Sequence, residues 1–351
     1  MHMGDSRRSH FYLSERELKN MLNTGRWDIQ SHGKDDHDFY AIDDQDTQGH
    51  FLSNRLYLEE RGRIESSAEF GQRIFTDLTI SKRELEDTLG RAVISFAYPF
   101  GDFGQNPINF PESEVFIADA VHSVYDFAFY QGWPELGDTF NYPDPDAFMI
   151  KRINVQPHWS GEHLVKRLDR GRAKKLPYED DFAQDNGWIK IWGRSDMTDG
   201  SLELSSNATN TGASMFLDGT RHWRDYRFEA AIDWQHGQSV SLIARFQDSE
   251  NFVACTFTDA GIRIEERVNG AQRLLETTTL DVPIAKDHFA PSIRVTGDTA
   301  TCLMDDKLVA QTSELNPSLR DGGIGFKTWD AISDHSNIRI QRVRVSAILS
   351  E

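Results

Sequence analysis

The sequence predicts two domains in tandem: a parallel α/β domain over residues 1–170 and an antiparallel β-sandwich of jelly-roll type over 178–351, joined by a linker at 171–177. Three observations predict this. Helix–turn–strand units recur in the first half, strand-period alternation fills the second without a convincing helix, and Gly171-Arg172-Ala173-Lys174-Lys175-Leu176-Pro177 changes the composition abruptly between them. A chain of 351 residues is long enough for two cores.

In order along the chain, Ser14 and Glu17 form a capping box, Leu13 and Leu18 a hydrophobic staple, and Leu18, Met21 and Leu22 share one helical face that ends at Gly25. A buried strand, Trp27–Ser31, follows. Tyr40–Arg73 is polar and weakly periodic and reads as a loop plus a helix around Leu52–Arg63. Ile80, Ser81, Glu84, Leu85, Leu89 and Gly90 repeat the helix grammar and lead into a strand over Ala92–Ala97. Ser113–Val124 reads as a helix, Phe127–Tyr130 and Ile150–Val155 as strands, and Gly161–Leu168 as the last helix of the domain.

Beyond the linker, alternation places Tyr226, Phe228, Ala230, Ile232 and Trp234 on one face, and Val240, Leu242, Ala244 and Phe246 on the next. Ile262 with Ile264 and Ile293 with Val295 continue the pattern, and Asn269-Gly270 signals a hairpin. The apolar phase slips between Ile340 and Val343, which predicts a bulge. About ten short strands over Leu176–Leu349 make a jelly roll the natural architecture.

Lys and Arg number 38 against 56 Asp and Glu, a formal net charge of −18 that repels a phosphate backbone and excludes nucleic acid as a partner. No apolar run approaches the ~18 residues that a membrane span needs, and Met1–His10 is polar rather than signal-like. The two cysteines, Cys255 and Cys302, lack metal-ligand spacing and lie in strand-like segments; buried free thiols are the expected state, with a single bridge as the alternative.

The chemistry concentrates in two places. Trp27-Asp28-Ile29-Gln30-Ser31-His32-Gly33-Lys34-Asp35-Asp36-His37 reads as a strand delivering two imidazoles to a loop at its carboxyl end, and two such nitrogens can hold a metal ion. Ser95-Phe96-Ala97-Tyr98-Pro99-Phe100-Gly101 is a second strand running into a rigid Pro-Gly turn, where open α/β folds place their chemistry. The expectation is that the rings of His32 and His37 converge beside that turn.

Over roughly residues 10–170 these motifs and their order resemble the polysaccharide deacetylases, metal-dependent enzymes that remove acetyl groups from polysaccharides on a partial or distorted (β/α) barrel. Ser31–His37 looks like their histidine-pair motif and Phe96–Gly101 like their Tyr-Pro turn. The resemblance implies a divalent metal, zinc in the first instance, held by His32 and His37, with the Tyr98 main-chain N–H as oxyanion donor. It also implies a polysaccharide partner and an extracytoplasmic setting.

The chain departs from the family's pattern in several ways. The strand that carries the family's paired aspartates is missing upstream of His32; Asp5 does not replace it, and Asp43 with Asp44 follows the histidines in an irregular segment. Gly33 stands where the family has Ser or Thr, the histidine spacing is one residue longer than the commonest form, and His158 is the nearest substitute for the late histidine motif. A barrel of this type needs ~200 residues or more, so an incomplete barrel with impaired activity is expected.

The second domain resembles the concanavalin- and laminin-G-like jelly rolls that serve as carbohydrate-binding modules, most closely at Arg245-Phe246-Gln247-Asp248-Ser249-Glu250-Asn251-Phe252. Sugar recognition needs aromatic faces and fixed polar groups, for which Trp192, Trp223 and Trp329 with Arg245 are the candidates. Three readings follow: a deacetylase tethered to its substrate by the sandwich, a non-catalytic carbohydrate-binding protein with a relic deacetylase domain, and a structural or interaction module.

Overall fold

A computed structural model describes residues 13–137, 140–142, 147–198, 200–331 and 335–348. The chain forms two compact units: residues 1–132 with 143–154, and residues 133–142 with 155–351. The helix Gly161–Arg170 belongs with the second unit, where Arg170 pairs with Asp185 at 2.7 Å.

In the first unit the strands Ser95–Ala97, Phe127–Gln131 and Met149–Arg152 form a parallel sheet in that order. Ser31 joins its edge as a parallel bridge to Phe96, donating its N–H to Ser95 O and accepting that of Ala97. The expected strand Trp27–Ser31 contracts to this one residue for a local reason. The Gln30 side-chain oxygen accepts the N–H groups of Ile94 and Ser95 at 2.8 and 3.0 Å, occupying ladder positions that a main-chain carbonyl would fill, and Trp27 is exposed. Among the described residues the sheet is open and does not close into a barrel.

Helices Glu15–Asn23, Ser67–Leu89 and Ser113–Val124 accompany the sheet. The first has the capping box read from Ser14 and Glu17. The second starts well before Ile80, because Ser66 and Glu69 form a capping box of their own, and it ends at Gly90 in the left-handed region. Ser81 is therefore interior to the helix and bonds Ser31 Oγ at 2.9 Å. The helix expected around Leu52–Arg63 is instead a small hairpin, Tyr57–Leu58 with Arg63–Ile64, closed by a 3-10 turn and by Gly62 at φ +58°. Phe70, Ile74 and Leu78 of the long helix are buried with Phe96, Ile117, Val121 and Ala128.

The second unit is an antiparallel β-sandwich. One sheet runs 194–198, 201–205, 337–347, 226–236, 291–296, 299–304 and 307–312, with 178–180 added on 337–347. The other runs 271–279, 261–268, 251–258, 239–248, 323–330, 211–217 and 188–192. The predicted alternation fills the space between them, from Tyr226 to Trp234 on one sheet and Val240 to Ala244 on the other. The hairpin at Asn269-Gly270 and the slip between Ile340 and Val343 are both present.

Two readings of this unit change. Phe246 leaves the inner face, because Arg245 sits at φ +50° in an irregular stretch of its strand; Phe246 joins Ile189, Phe216 and Ile243 in a cluster on the outer face. Cys255 and Cys302 are not free thiols. Their strands belong to the two facing sheets, the Cα atoms lie 5.9 Å apart, and a disulfide staples the sandwich through its core.

Candidate functional site

Past Ser31 the chain turns at Gly33, φ +79°, where an added Cβ would meet the Asp36 carboxylate at 1.8 Å. The close packing of Asp36 explains why glycine stands there. Asp77, on the long helix, fixes the loop by accepting the N–H of Lys34 at 3.1 Å and of Asp35 at 2.9 Å. Lys34 also pairs with Glu84 at 2.6 Å.

This scaffold brings His32 and His37 together, with ring centroids 5.0 Å apart and planes inclined at 65°. His32 Nδ1–H donates to Ala97 O at 2.5 Å, which assigns the proton to Nδ1 and leaves Nε2 as the lone-pair nitrogen. Burial first, then the neighbouring His37 and Arg152, pushes the His32 pKa down to about 4 despite the Ala97 bond, so the ring is neutral at physiological pH.

The Tyr-Pro turn lies beside the pair. Phe100, left-handed at φ +58°, sets its ring 4.6 Å from His37 and 4.7 Å from His50. The Tyr98 N–H cannot serve as the oxyanion donor in this arrangement, because it donates to Phe129 O at 2.9 Å within the sheet. The Phe100 N–H has no partner among the described residues. Arg152, not singled out from the sequence, donates to Tyr98 O at 2.6 Å, and burial lowers its pKa. Only its position at the end of a strand two places along the sheet from the turn could have suggested it.

Asp36 is buried with neither carboxylate oxygen hydrogen-bonded. Burial, and secondarily the Asp77 charge, raises its pKa to about 8. No set of three His, Cys, Asp or Glu side chains converges on one point among the described residues. Asp43 is used in its own turn, accepting the N–H groups of Gln45 and Thr47; Asp5 lies outside the described residues; and His158 is exposed on the second unit. His32, with its tautomer fixed and its ring held neutral, and His37 are thus the two imidazoles that the loop sets side by side.

The sandwich candidates separate. Trp192 and Trp329 meet edge to face at 6.1 Å, both half-buried, beside a register row of Ser214, Lys327, Ser241 and Thr256. Trp223 is a core residue whose indole donates to Lys174 O at 2.8 Å. Arg245 is 1 % exposed and lies under the loops at 297 and 319, bonding Leu319 O and Asp225. No helix among the described residues is long and apolar enough to cross a membrane.

The sequence matches no protein-family profile and no curated protein sequence. Among solved structures the fold is similar to a carbohydrate-binding module, CBM66, from Bacillus subtilis, at 17 % identity and TM-score 0.39 over 46 % of this chain and 96 % of that one. It is also similar to a de-N-acetylase from Aggregatibacter actinomycetemcomitans, at 16 % identity and TM-score 0.35 over 44 % of this chain and 53 % of that one. The deacetylase domain of BpsB from Bordetella bronchiseptica aligns at 23 % identity and TM-score 0.33 over 41 % of this chain and 52 % of that one. The aligned part spans about half the length of the two deacetylase chains and nearly all of the binding module. At these TM-scores the likenesses add no weight to a functional reading, which rests on the residues themselves.

Proposed function

We propose that this chain is a carbohydrate-directed protein of the extracytoplasmic space whose first unit binds a divalent metal ion, zinc in the first instance, at His32 and His37 and removes acetyl groups from a polysaccharide at a low rate. The observation that carries the reading is the bond from His32 Nδ1 to Ala97 O, which leaves Nε2 as the lone-pair nitrogen, with the His37 ring centroid 5.0 Å away. When bound there, the ion would supply Lewis acidity toward an acetyl carbonyl and lower the pKa of water toward ~7. Asp77 holds the loop, Arg152 holds the turn, and the Phe100 N–H, without a partner among the described residues, is the main-chain donor suited to a developing oxyanion.

A low rate follows from the donor set, since catalytic zinc sites commonly use three protein ligands and the described residues offer two. That same count favours the second reading, a non-catalytic carbohydrate-binding protein with a relic deacetylase domain. The disulfide between Cys255 and Cys302 supports the compartment, because such bonds persist where the medium is oxidising.

Zinc calorimetry and acetate release from acetylated polysaccharides, run on the wild type, His32→Ala and His37→Ala, test the proposal together. Micromolar zinc binding that each variant abolishes, with acetate release that falls at least tenfold, is expected. Zinc binding without acetate release leaves the non-catalytic reading. Zinc binding unchanged in both variants removes the metal site.

A further inference from the structure

Away from the Trp192–Trp329 pair, the loops at residues 224–225, 297–298 and 315–321 surround a cleft of about 620 Å³ at one end of the sandwich. The geometry points to this cleft as the glycan-binding site, which takes a terminal, uncharged sugar residue through its vicinal hydroxyls. The inference deepens the carbohydrate-directed reading above and does not depend on the metal site.

The floor is Arg245, a fully buried guanidinium whose Nη1 donates to Leu319 O at 2.7 Å and whose Nη2 reaches Asp225 Oδ1 at 3.1 Å, while its buried Nε has no partner. Its backbone is fixed as firmly. Arg245 N donates to Tyr226 Oη at 2.7 Å, and the single proton of that hydroxyl goes to Gly323 O at 2.8 Å, with Gly322 O at 3.1 Å sharing it. Gly322, at φ +148°, lies so close to the Arg245 main chain that a Cβ would stand 2.2 Å from its carbonyl carbon. Asp225 in turn accepts the Gly297 N–H at 2.9 Å. A buried charge and a left-handed arginine cost stability wherever they occur, and such features gather where a site must be held rigid.

The walls complement the floor. Arg224 and Arg320 are exposed and make no ion pair among the described residues, and they line the cleft with Asp225, Asp298 and Asp321, of which Asp225 pairs with Arg245 and Asp321 with Arg221. The lining holds three guanidinium groups and three carboxylates, a mixture with no large excess of either charge to select an ion. It supplies paired donors and acceptors, as vicinal hydroxyls require, and the exposed Pro317 ring gives an apolar surface for the C–H side of a sugar.

Calorimetry with oligosaccharides ending in glucose, galactose, mannose, fructose or N-acetylglucosamine, and with oligogalacturonate as the charged comparison, tests the site. Asp298→Asn and Arg320→Ala alter exposed wall residues and leave the fold intact by circular dichroism. Each is expected to weaken binding of at least one neutral oligosaccharide tenfold or more, with little change between 0.05 and 0.5 M NaCl, while Trp192→Ala and Trp329→Ala bind as the wild type does. Loss in the tryptophan variants with retention in the cleft variants overturns the assignment and leaves the carbohydrate-directed reading standing. Binding of oligogalacturonate alone, collapsing with salt, overturns the uncharged ligand. Absence of binding by every oligosaccharide at millimolar concentration overturns both the cleft and the broader reading.

Discussion

The Asp77 carboxylate accepts the main-chain N–H of Asp35 at 2.9 Å, so a residue midway along a helix sets the conformation of the histidine loop. Because Asp77 also takes the Lys34 N–H, its removal leaves two main-chain donors unpaired in a partly buried place. Asp77→Ala is expected to lose about 1–3 kcal/mol of stability and at least tenfold in zinc affinity, read by urea denaturation and by calorimetry. Unchanged affinity would show that the loop holds its shape unaided.

Gly33 is the second constraint on that loop. Gly33→Ser combines a left-handed backbone with a Cβ inside the Asp36 carboxylate, and strain of this type costs about 1–3 kcal/mol before the clash is counted. A lowered thermal midpoint and loss of zinc binding are expected. A serine variant that binds zinc normally would mean that Asp36 moves freely.

Asp36 gives the chain a pH signature. Its folded pKa of about 8 lies above the ordinary carboxylate value of 3.8, so the folded state holds the proton more tightly than the unfolded state does. This contribution is complete below about pH 4 and is lost as pH rises through about 8. Asp36→Asn removes the dependence, and its advantage over the wild type in urea midpoint should grow from pH 5 to pH 8.5. An advantage that is constant over that range would contradict the protonated assignment.

The bond between Cys255 and Cys302 closes a loop of 47 residues, for which the chain-entropy relation gives about 4 kcal/mol. Reduction, or Cys255→Ala with Cys302→Ala, is expected to lower the urea midpoint of the sandwich accordingly. Thiol titration of the unreduced, denatured protein should find no free sulfhydryl.

Much of this was legible in the residues. Period-two alternation from Tyr226 to Trp234 specified a half-buried strand because one face meets a core, and Ser14 with Glu17 specified a helix start because the box is local. What escaped depended on partners distant in sequence. The Gln30 side chain reaches residues 94 and 95 and so shortens a strand that looked apolar; Cys255 and Cys302 meet only once two sheets face each other. Within the candidate site the histidines were visible, but the use of the Tyr98 N–H by Phe129 was not, since a ladder bond is fixed by strand order. Arg245 was legible as a polar residue in a turn-like stretch, while its left-handed backbone and its burial were not.

The short turn Pro134–Leu136 packs on the strands 188–192 and 239–248, with Ser249 N donating to Glu135 O at 2.8 Å, although it precedes the last strand of the first unit in the chain. The polypeptide therefore passes between the units three times, and no single cut separates them. A fragment starting at residue 171 would forfeit this packing on the strands 188–192 and 239–248, and would be expected to self-associate more than the intact chain on size-exclusion chromatography.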